Sequence, residues 1–513
     1  MKEFLKFIIV FSGYFAIAPL LGWVLARSRV AERFALCLLV CMPSWFPSKL
    51  TMMLDSVENY RGHTKGFEFS SMVALGIALT VCAFVKRPPG FRRVPPGLWL
   101  YLLYCALSCL SLIPAANRIY GLMAAWKFTS AAFIFIGAFH AFRDEEDLRW
   151  VLRTLAGTLI FQALLCLKLR FLDGRWQVHG WFEHQNPMCI WAYLCALPLL
   201  AVAFAPQPKR PDTVLYLGAV GATALMILLS VSRGGLGAFV AGAVAVTGLA
   251  HLRGVSLQKV AITGLGACAA VAAGMLALDS LLTRIQQDSA RENEEDLRPV
   301  LNRQSKAMLH DSPIGIGWNN FGVVNSLPNE KYVIILMDWD RSRGFRIIDD
   351  NYCDGPLTES LYWLLLSETG YPGFISYVAF LVLTLWWAAR GLIRHWNTLL
   401  GYFLGGVLVA LGLMYLHGSV ERVLSQTKNL SAWLIFAGFL ARVSLLPRTQ
   451  GNPKAVSHRS GISPFPASNS HYGTNGTNGG WSHPASDTLK GGHHTSQTSQ
   501  NENCCFRALP ATA

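Results

Sequence analysis

The chain has 513 residues, 52% of them apolar and 14% charged, with a formal net charge of +14 at pH 7. Soluble domains carry charge on about a quarter of their residues, so this composition excludes them and points to an all-α polytopic membrane protein. The positive excess sits on no soluble domain, which removes nucleic acid from the candidate partners.

In chain order, thirteen apolar blocks are long enough to span a hydrocarbon core roughly 30 Å thick. They cover residues 7–26, 34–53, 70–85, 98–115, 119–141, 151–168, 187–205, 213–231, 234–250, 259–280, 371–390, 398–416 and 429–446. Pro43 and Pro47 break the second block, so twelve spans with that block re-entrant is the alternative count. The first block lacks a small-residue cleavage pattern, and no cleavable leader is expected. Lysines and arginines cluster in or beside alternate connections: Arg27, Arg29 and Arg33; Lys86, Arg87, Arg92 and Arg93; Lys209 and Arg210; Arg253 and Lys259; Arg390 and Arg394; Arg442 and Arg448. Positive-inside bias assigns these to the cytoplasm. Arg118, the segment from His179 to Asn186, Arg233 and a long loop at 281–356 then fall outside. Thirteen spans put the N-terminus outside and the C-terminus inside.

Several polar residues interrupt the pattern. Lys127 lies inside the block 119–141, where a cation must be paired or snorkel to the surface. His179, Glu183, His184 and Asn186 gather just before a helix, but without a recognised ligand spacing no metal site is expected. Asn186-Pro187 reads as a helix cap followed by proline at the first helical position. Ser232-Arg233-Gly234-Gly235 marks a tight turn between two spans. An arginine there is costly if buried unpaired, which makes it a functional candidate. Turn N–H groups can hold an anion, and a guanidinium fork suits a pyrophosphate. The plain alternative is a topology-setting arginine.

The loop at 281–356 holds twelve Asp and Glu against nine Lys and Arg, with Trp318, Phe321, Tyr332, Trp339, Phe345 and Tyr352. That many aromatics argue against a disordered spacer. The loop is expected to fold as a small lid over a site at the membrane surface. Within it, a helix is predicted from Arg298 to Leu309, with Pro299 in its first turn and Asp296 favouring its start. Arg298 and Arg303 are five apart, roughly 140° around that helix, so they do not share a face. Gly315-Ile316-Gly317 makes a turn. Leu357 to Ser367 reads as a helix dipping in from the outer surface, turned into the next span by Gly370, Pro372 and Gly373.

Glu359 and Glu368, nine apart, fall on opposite faces of a helix about 13 Å apart along its axis, which rules out a cooperating pair. Glu359 is the candidate general base; its plain reading is a carboxylate favoured by a helix N-terminus. Glu368 is expected to fix the turn. Nine of the twelve cysteines lie in apolar blocks as small hydrophobes, and Cys353 alone cannot staple the loop. Residues 447–513, rich in Ser, Asn, Gly, His and Thr, are expected to be a disordered cytoplasmic tail.

Taken together, the motifs resemble the O-antigen ligase and O-antigen polymerase superfamily of bacterial envelope glycosyltransferases. The matching pieces are Phe182-x-His184-x-Asn186, Ser232-Arg233-Gly234, then Arg298 leading to Asp311-x-Pro313-x-Gly315-x-Gly317-x-x-Asn320-Phe321. Leu361-Tyr362 and Glu368-Thr369-Gly370-x-x-Gly373 complete them, over residues 180–380. The resemblance implies a glycosyltransferase of polysaccharide biosynthesis in the bacterial inner (cytoplasmic) membrane. Its donor would be a polyprenyl-pyrophosphate-linked glycan and its acceptor a glycan hydroxyl, with no nucleotide sugar, cofactor or obligatory metal. By the same analogy, Arg233 and Arg298 engage the pyrophosphate, where fixed cations stabilise charge on the leaving group. Arg303, His184 and Asn186 are the further substrate-binding candidates.

Ligases of the family carry a His-Asn pair nine residues before the Glu-x-Gly turn. Glu359-Ser360 stand there instead, which favours a polymerase. A small-solute transporter is the alternative, since intramembrane charge and broken helices suit that class too. The absence of evident internal repeats and the long loop count against it. A non-catalytic scaffold for envelope assembly is the third reading.

Overall fold

Several helices start where the sequence supplies a cap. Asn117 accepts the Ile119 N–H at 3.0 Å, Asp144 and Asp147 form a capping box, and Ser70, Ser360 and Thr398 cap three further helices. Each cap satisfies N–H groups that a first helical turn leaves without an intrahelical partner. The computed structural model describes residues 2–45, 51–57, 60, 62–88, 91–206, 210–290, 297–326, 332 and 357–447. All but the tail belongs to one unit, Met1–Gly451. The tail expectation lies outside the described residues, as do Trp339, Phe345, Tyr352 and Cys353.

Each apolar block corresponds to a helix. In order these are α1 (Glu3–Leu25), α2 (Arg29–Trp45), α3 (Ser71–Lys86), α4 (Leu98–Leu112), α5 (Arg118–Ala141), α6 (Glu145–Leu172) and α7 (Gln185–Ala203). Then come α8 (Arg210–Ser230), α9 (Arg233–His251) and α10 (Leu257–Ala290). Two shorter helices lie in the long loop, α11 (Leu297–Asp311) and α12 (Phe321–Ser326). The bundle closes with α13 (Leu361–Arg394), α14 (Leu399–His417) and α15 (Thr427–Val443). Eight of these helices are long and apolar enough to cross a membrane, and α3 and α4 are shorter apolar helices.

Two boundaries differ from expectation. The block 34–53 is not one span: α2 ends at Trp45, and Thr51–Leu54 forms β1, antiparallel to β2 (Phe67–Ser70) with Thr51 opposite Ser70. Pro47 has no N–H for a helical bond, Ser48 and Lys49 interrupt the apolar run, and Thr51–Leu54 finds its partners across a hairpin. The long loop also opens later than residue 281, because α10 continues to Ala290.

Helix α7 is buried along nearly its whole length, packed against α14, α8 and α9. A helix apolar on every side belongs in the middle of such a bundle. Gly406 of α14 lets that neighbour approach, since a Cβ there would sit 2.5 Å from Pro198 Cα. By contrast, α10 exposes Leu257, Val260, Leu265, Val271 and Met275, the surface that a bilayer would cover.

The connections sort to two ends. At one, Arg33 pairs with Asp147 at 2.8 Å, Lys86 with Glu32 at 3.3 Å, Arg153 with Asp212 at 2.9 Å, and Arg394 donates to Ser444 O at 3.2 Å. At the other, Asn319 Nδ2 donates to Thr64 O and Tyr120 O, both at 3.1 Å, and the Trp318 N–H donates to Ser111 Oγ at 2.9 Å. This second end gathers the β-hairpin, the start of α5, the long loop and the connections around α7, α9 and α13.

Candidate functional site

At that second end, α7 begins one residue before Asn186. His184 is its cap, with Nδ1 accepting the Asn186 N–H at 3.4 Å, so the expected capping role of Asn186 is corrected. The Asn186 side chain is thereby released for other work. Its Nδ2 donates to Glu421 Oε1, and its Oδ1 accepts from Ser232 Oγ at 3.0 Å. Ser232 in turn caps α9 by accepting the Gly235 N–H at 3.3 Å.

Arg233 is the first residue of α9 and is exposed. It stands at the positive end of a helix dipole, where an anion is favoured. The sharp reversal from α8 is made by Val231, at φ 55°, rather than by the glycines of the motif. A β-branched residue in that region is strained, and such strain persists only where the surroundings hold it. Gly234 faces another ring: a Cβ there would lie 3.2 Å from His417 Nε2.

Arg298, in the first turn of α11, forms an ion pair through Nε with Glu359 Oε2. The two side chains are 50% and 42% exposed. Glu359 precedes the cap Ser360. It is therefore not on the helix with Glu368, and the helical spacing predicted between them does not apply. Arg303 is exposed on α11 and has no ion pair among the described residues.

Glu421, in the connection after α14, lies within electrostatic reach of both partners of that pair. Burial pushes its carboxyl above the usual range, Glu359 adds to this, and Arg298 and the Asn186 amide oppose it. His184 is held below the ordinary imidazole value by burial and by His179, with Glu359 opposing. His184, Asn186, Ser232, Arg298, Glu359 and Glu421 thus share one polar surface, with Arg233 at its edge.

A second polar cluster lies at the same end and is closed. Glu368 is fully buried and accepts the N–H groups of Asn319 and Phe321, each at 3.0 Å, with His63 Nε2 2.9 Å away. Its carboxylate thus holds the Gly317–Phe321 segment rather than the expected Thr369-Gly370 turn. Gly370 breaks α13 at φ 64° and ψ −171°, and a Cβ there would meet Ile314 C at 2.2 Å. The freed backbone groups are taken up: Ser367 O, Glu368 O and the Tyr371 N–H all bond the loop at Pro313–Gly317. Lys127 is paired, at 3.2 Å to Glu68, and donates to His63 O and Ser425 O.

The loop has its own apolar support in Met308, Ile316, Phe321, Val324, Tyr332, Leu357 and Leu364. Gln304 donates to Asn325 and to Tyr332 O beneath it. Among the described residues, no group of three or more His, Cys, Asp and Glu could hold a metal ion.

The residue that sequence reasoning missed is Glu421. Its signal was positional: the short connection between blocks 398–416 and 429–446 falls, by alternation, on the same side as the long loop. Fold and site together define a multi-pass, all-α membrane protein with a half-exposed polar site at one end of its bundle. No family model and no curated protein matches the chain.

Proposed function

We propose that this protein is a membrane glycosyltransferase that moves a polyprenyl-pyrophosphate-linked glycan onto a sugar hydroxyl, as a polysaccharide polymerase rather than a ligase. The observation that carries this reading is the hydrogen-bonded chain from the Arg233 helix start through Ser232 and Asn186 to Glu421, with the Arg298–Glu359 pair within electrostatic reach of Glu421. A pyrophosphate is a dianionic group or more, and two guanidinium forks with a helix N-terminus are its natural complement. Arg298 pairs with Glu359, and a pyrophosphate would compete with that carboxylate for the guanidinium. Charge building on the leaving group would then be met by fixed cations.

The arginine-rich, ion-paired end faces the cytoplasm in this reading, and the site faces the outer side of a bacterial inner membrane. A transporter with a broken helix keeps unwound carbonyls free for an ion. Those beside Gly370 are already bonded to the loop, which weighs against that alternative.

The test is transfer by the purified protein in lipid nanodiscs, given a polyprenyl-pyrophosphate oligosaccharide and an acceptor glycan. Products should lengthen and free polyprenyl pyrophosphate should appear. Arg233→Lys and Arg298→Lys should each lower the rate on the order of 10²-fold, because the charge remains but the fork is lost. Arg303→Lys should be mild. Wild-type rates in both Arg233→Lys and Arg298→Lys would sink the pyrophosphate role.

A further inference from the structure

We propose that Glu421, rather than Glu359, is the general base that takes the acceptor hydroxyl proton. The role rests on the glycosyl-transfer reading above and deepens it by assigning a residue that no motif of the chain marks.

The geometry separates the two carboxylates. Glu359 Oε2 is already engaged by Arg298 Nε, and its side chain is 42% exposed. Water and a guanidinium therefore compete with any acceptor at that oxygen. Glu421 is part-buried and is gripped at Oε1 by the Asn186 amide. Asn186 is itself fixed by Ser232, which caps the helix carrying Arg233. One chain of hydrogen bonds thus sets Glu421 relative to the arginine assigned to the donor. A base must be held at hydrogen-bond reach of the proton it removes, and Glu421 has the supporting contacts for that.

The charged surroundings agree. The groups that bear on Glu421 are Glu359, Arg298 and Arg422, with the Asn186 amide in contact. His184 lies across from it at the cap of α7, within the field of Glu359, and His417 lies one turn before it at the end of α14. Burial and Glu359 lift the Glu421 carboxyl above the ordinary range, which brings it nearer the operating pH of a base. The two acids then divide the labour: Glu359 holds Arg298 until the donor arrives, and Glu421 handles the proton.

The step balances. The acceptor oxygen forms a bond to the anomeric carbon of the donor while its proton passes to a Glu421 carboxylate oxygen. The bond from that carbon to the pyrophosphate oxygen breaks, and the electron pair leaves with the lipid pyrophosphate beside Arg233 and Arg298. The Glu421 proton is then lost to solvent.

Glu421→Gln keeps the acceptor oxygen for Asn186 and removes the basicity, so folding is preserved. In the reconstituted transfer assay, its kcat should fall by roughly 10²-fold or more. Binding of the lipid-linked donor should persist, and the acidic limb of the kcat/KM profile should disappear. Glu359→Gln should mainly alter the donor KM and keep that acidic limb. If the wild-type protein transfers glycan and Glu421→Gln does so at a similar rate with an unchanged pH profile, the assignment is overturned while the transferase reading stands. If the wild-type protein transfers nothing, both fall together.

Discussion

Two glutamates nine positions apart, Glu359 and Glu368, meet opposite fates at the same end of the bundle. Glu368 is fully buried, with two backbone N–H groups and His63 turned toward it. Glu359 is 42% exposed and held by one arginine that is itself half-exposed. The cluster around Glu368, continued by Lys127, Glu68 and Asn319, is closed: each charge has its partner inside the protein. The surface around Glu359 and Glu421 is open, and its charges stay within reach of a ligand. Buried and saturated polar groups hold a structure together, whereas half-exposed ones remain available for chemistry.

The largest effect that would sharpen this contrast is expected at Lys127. Replacing it with alanine leaves Glu68 buried without its cation and removes two bonds to backbone carbonyls. Breaking such a pair costs about 3–5 kcal/mol. Lys127→Ala should therefore yield little folded protein, seen as loss of the thermal transition in detergent. A normal melting temperature would break the distinction between closed and open clusters.

A smaller loss is expected for Glu368→Gln. The side chain can still accept one N–H but not both with a charged oxygen, which costs roughly 1–3 kcal/mol. Melting should drop while any residual folded protein keeps its donor affinity. A donor-affinity loss at unchanged stability would move Glu368 into the open site.

The smallest effect has the opposite sign. The Glu421 carboxyl is raised in the folded protein, so the folded state holds a proton over a window from the ordinary glutamate value upward. Stability falls as pH rises through that window, because the charged form is disfavoured by folding. Glu421→Gln removes this penalty. Its melting temperature should match the wild type in acid and slightly exceed it at neutral pH. A variant less stable than wild type at neutral pH would show Glu421 to be a structural carboxylate like Glu368.

Much of this architecture was legible in the chain. Apolar block length predicted every long helix, since a helix is the form in which a run of apolar residues satisfies its own backbone. Pro299 and the preceding Asp296 marked α11, and Gly370 with Pro372 marked the break in α13. The failures came where a contact distant in sequence decided the outcome. Thr51–Leu54 looked like the tail of a span, but Phe67–Ser70 recruits it into a hairpin. Asn186 looked like a cap because capping is a local rule, yet Glu421, far along the chain, claims its side chain.

The sequence by itself therefore determined the helices and their order, because hydrophobic length and capping act over a few residues. It also supplied the candidate arginines through motifs at helix boundaries. Only the tertiary structure decided that Lys127 is paired with Glu68, that Glu368 is sealed beneath the loop and that Arg298 is matched by Glu359. Only packing brought Glu421 and Ser232 together on Asn186. Charge pairing and burial depend on which connections the bundle folds together, and no local pattern encodes that distance.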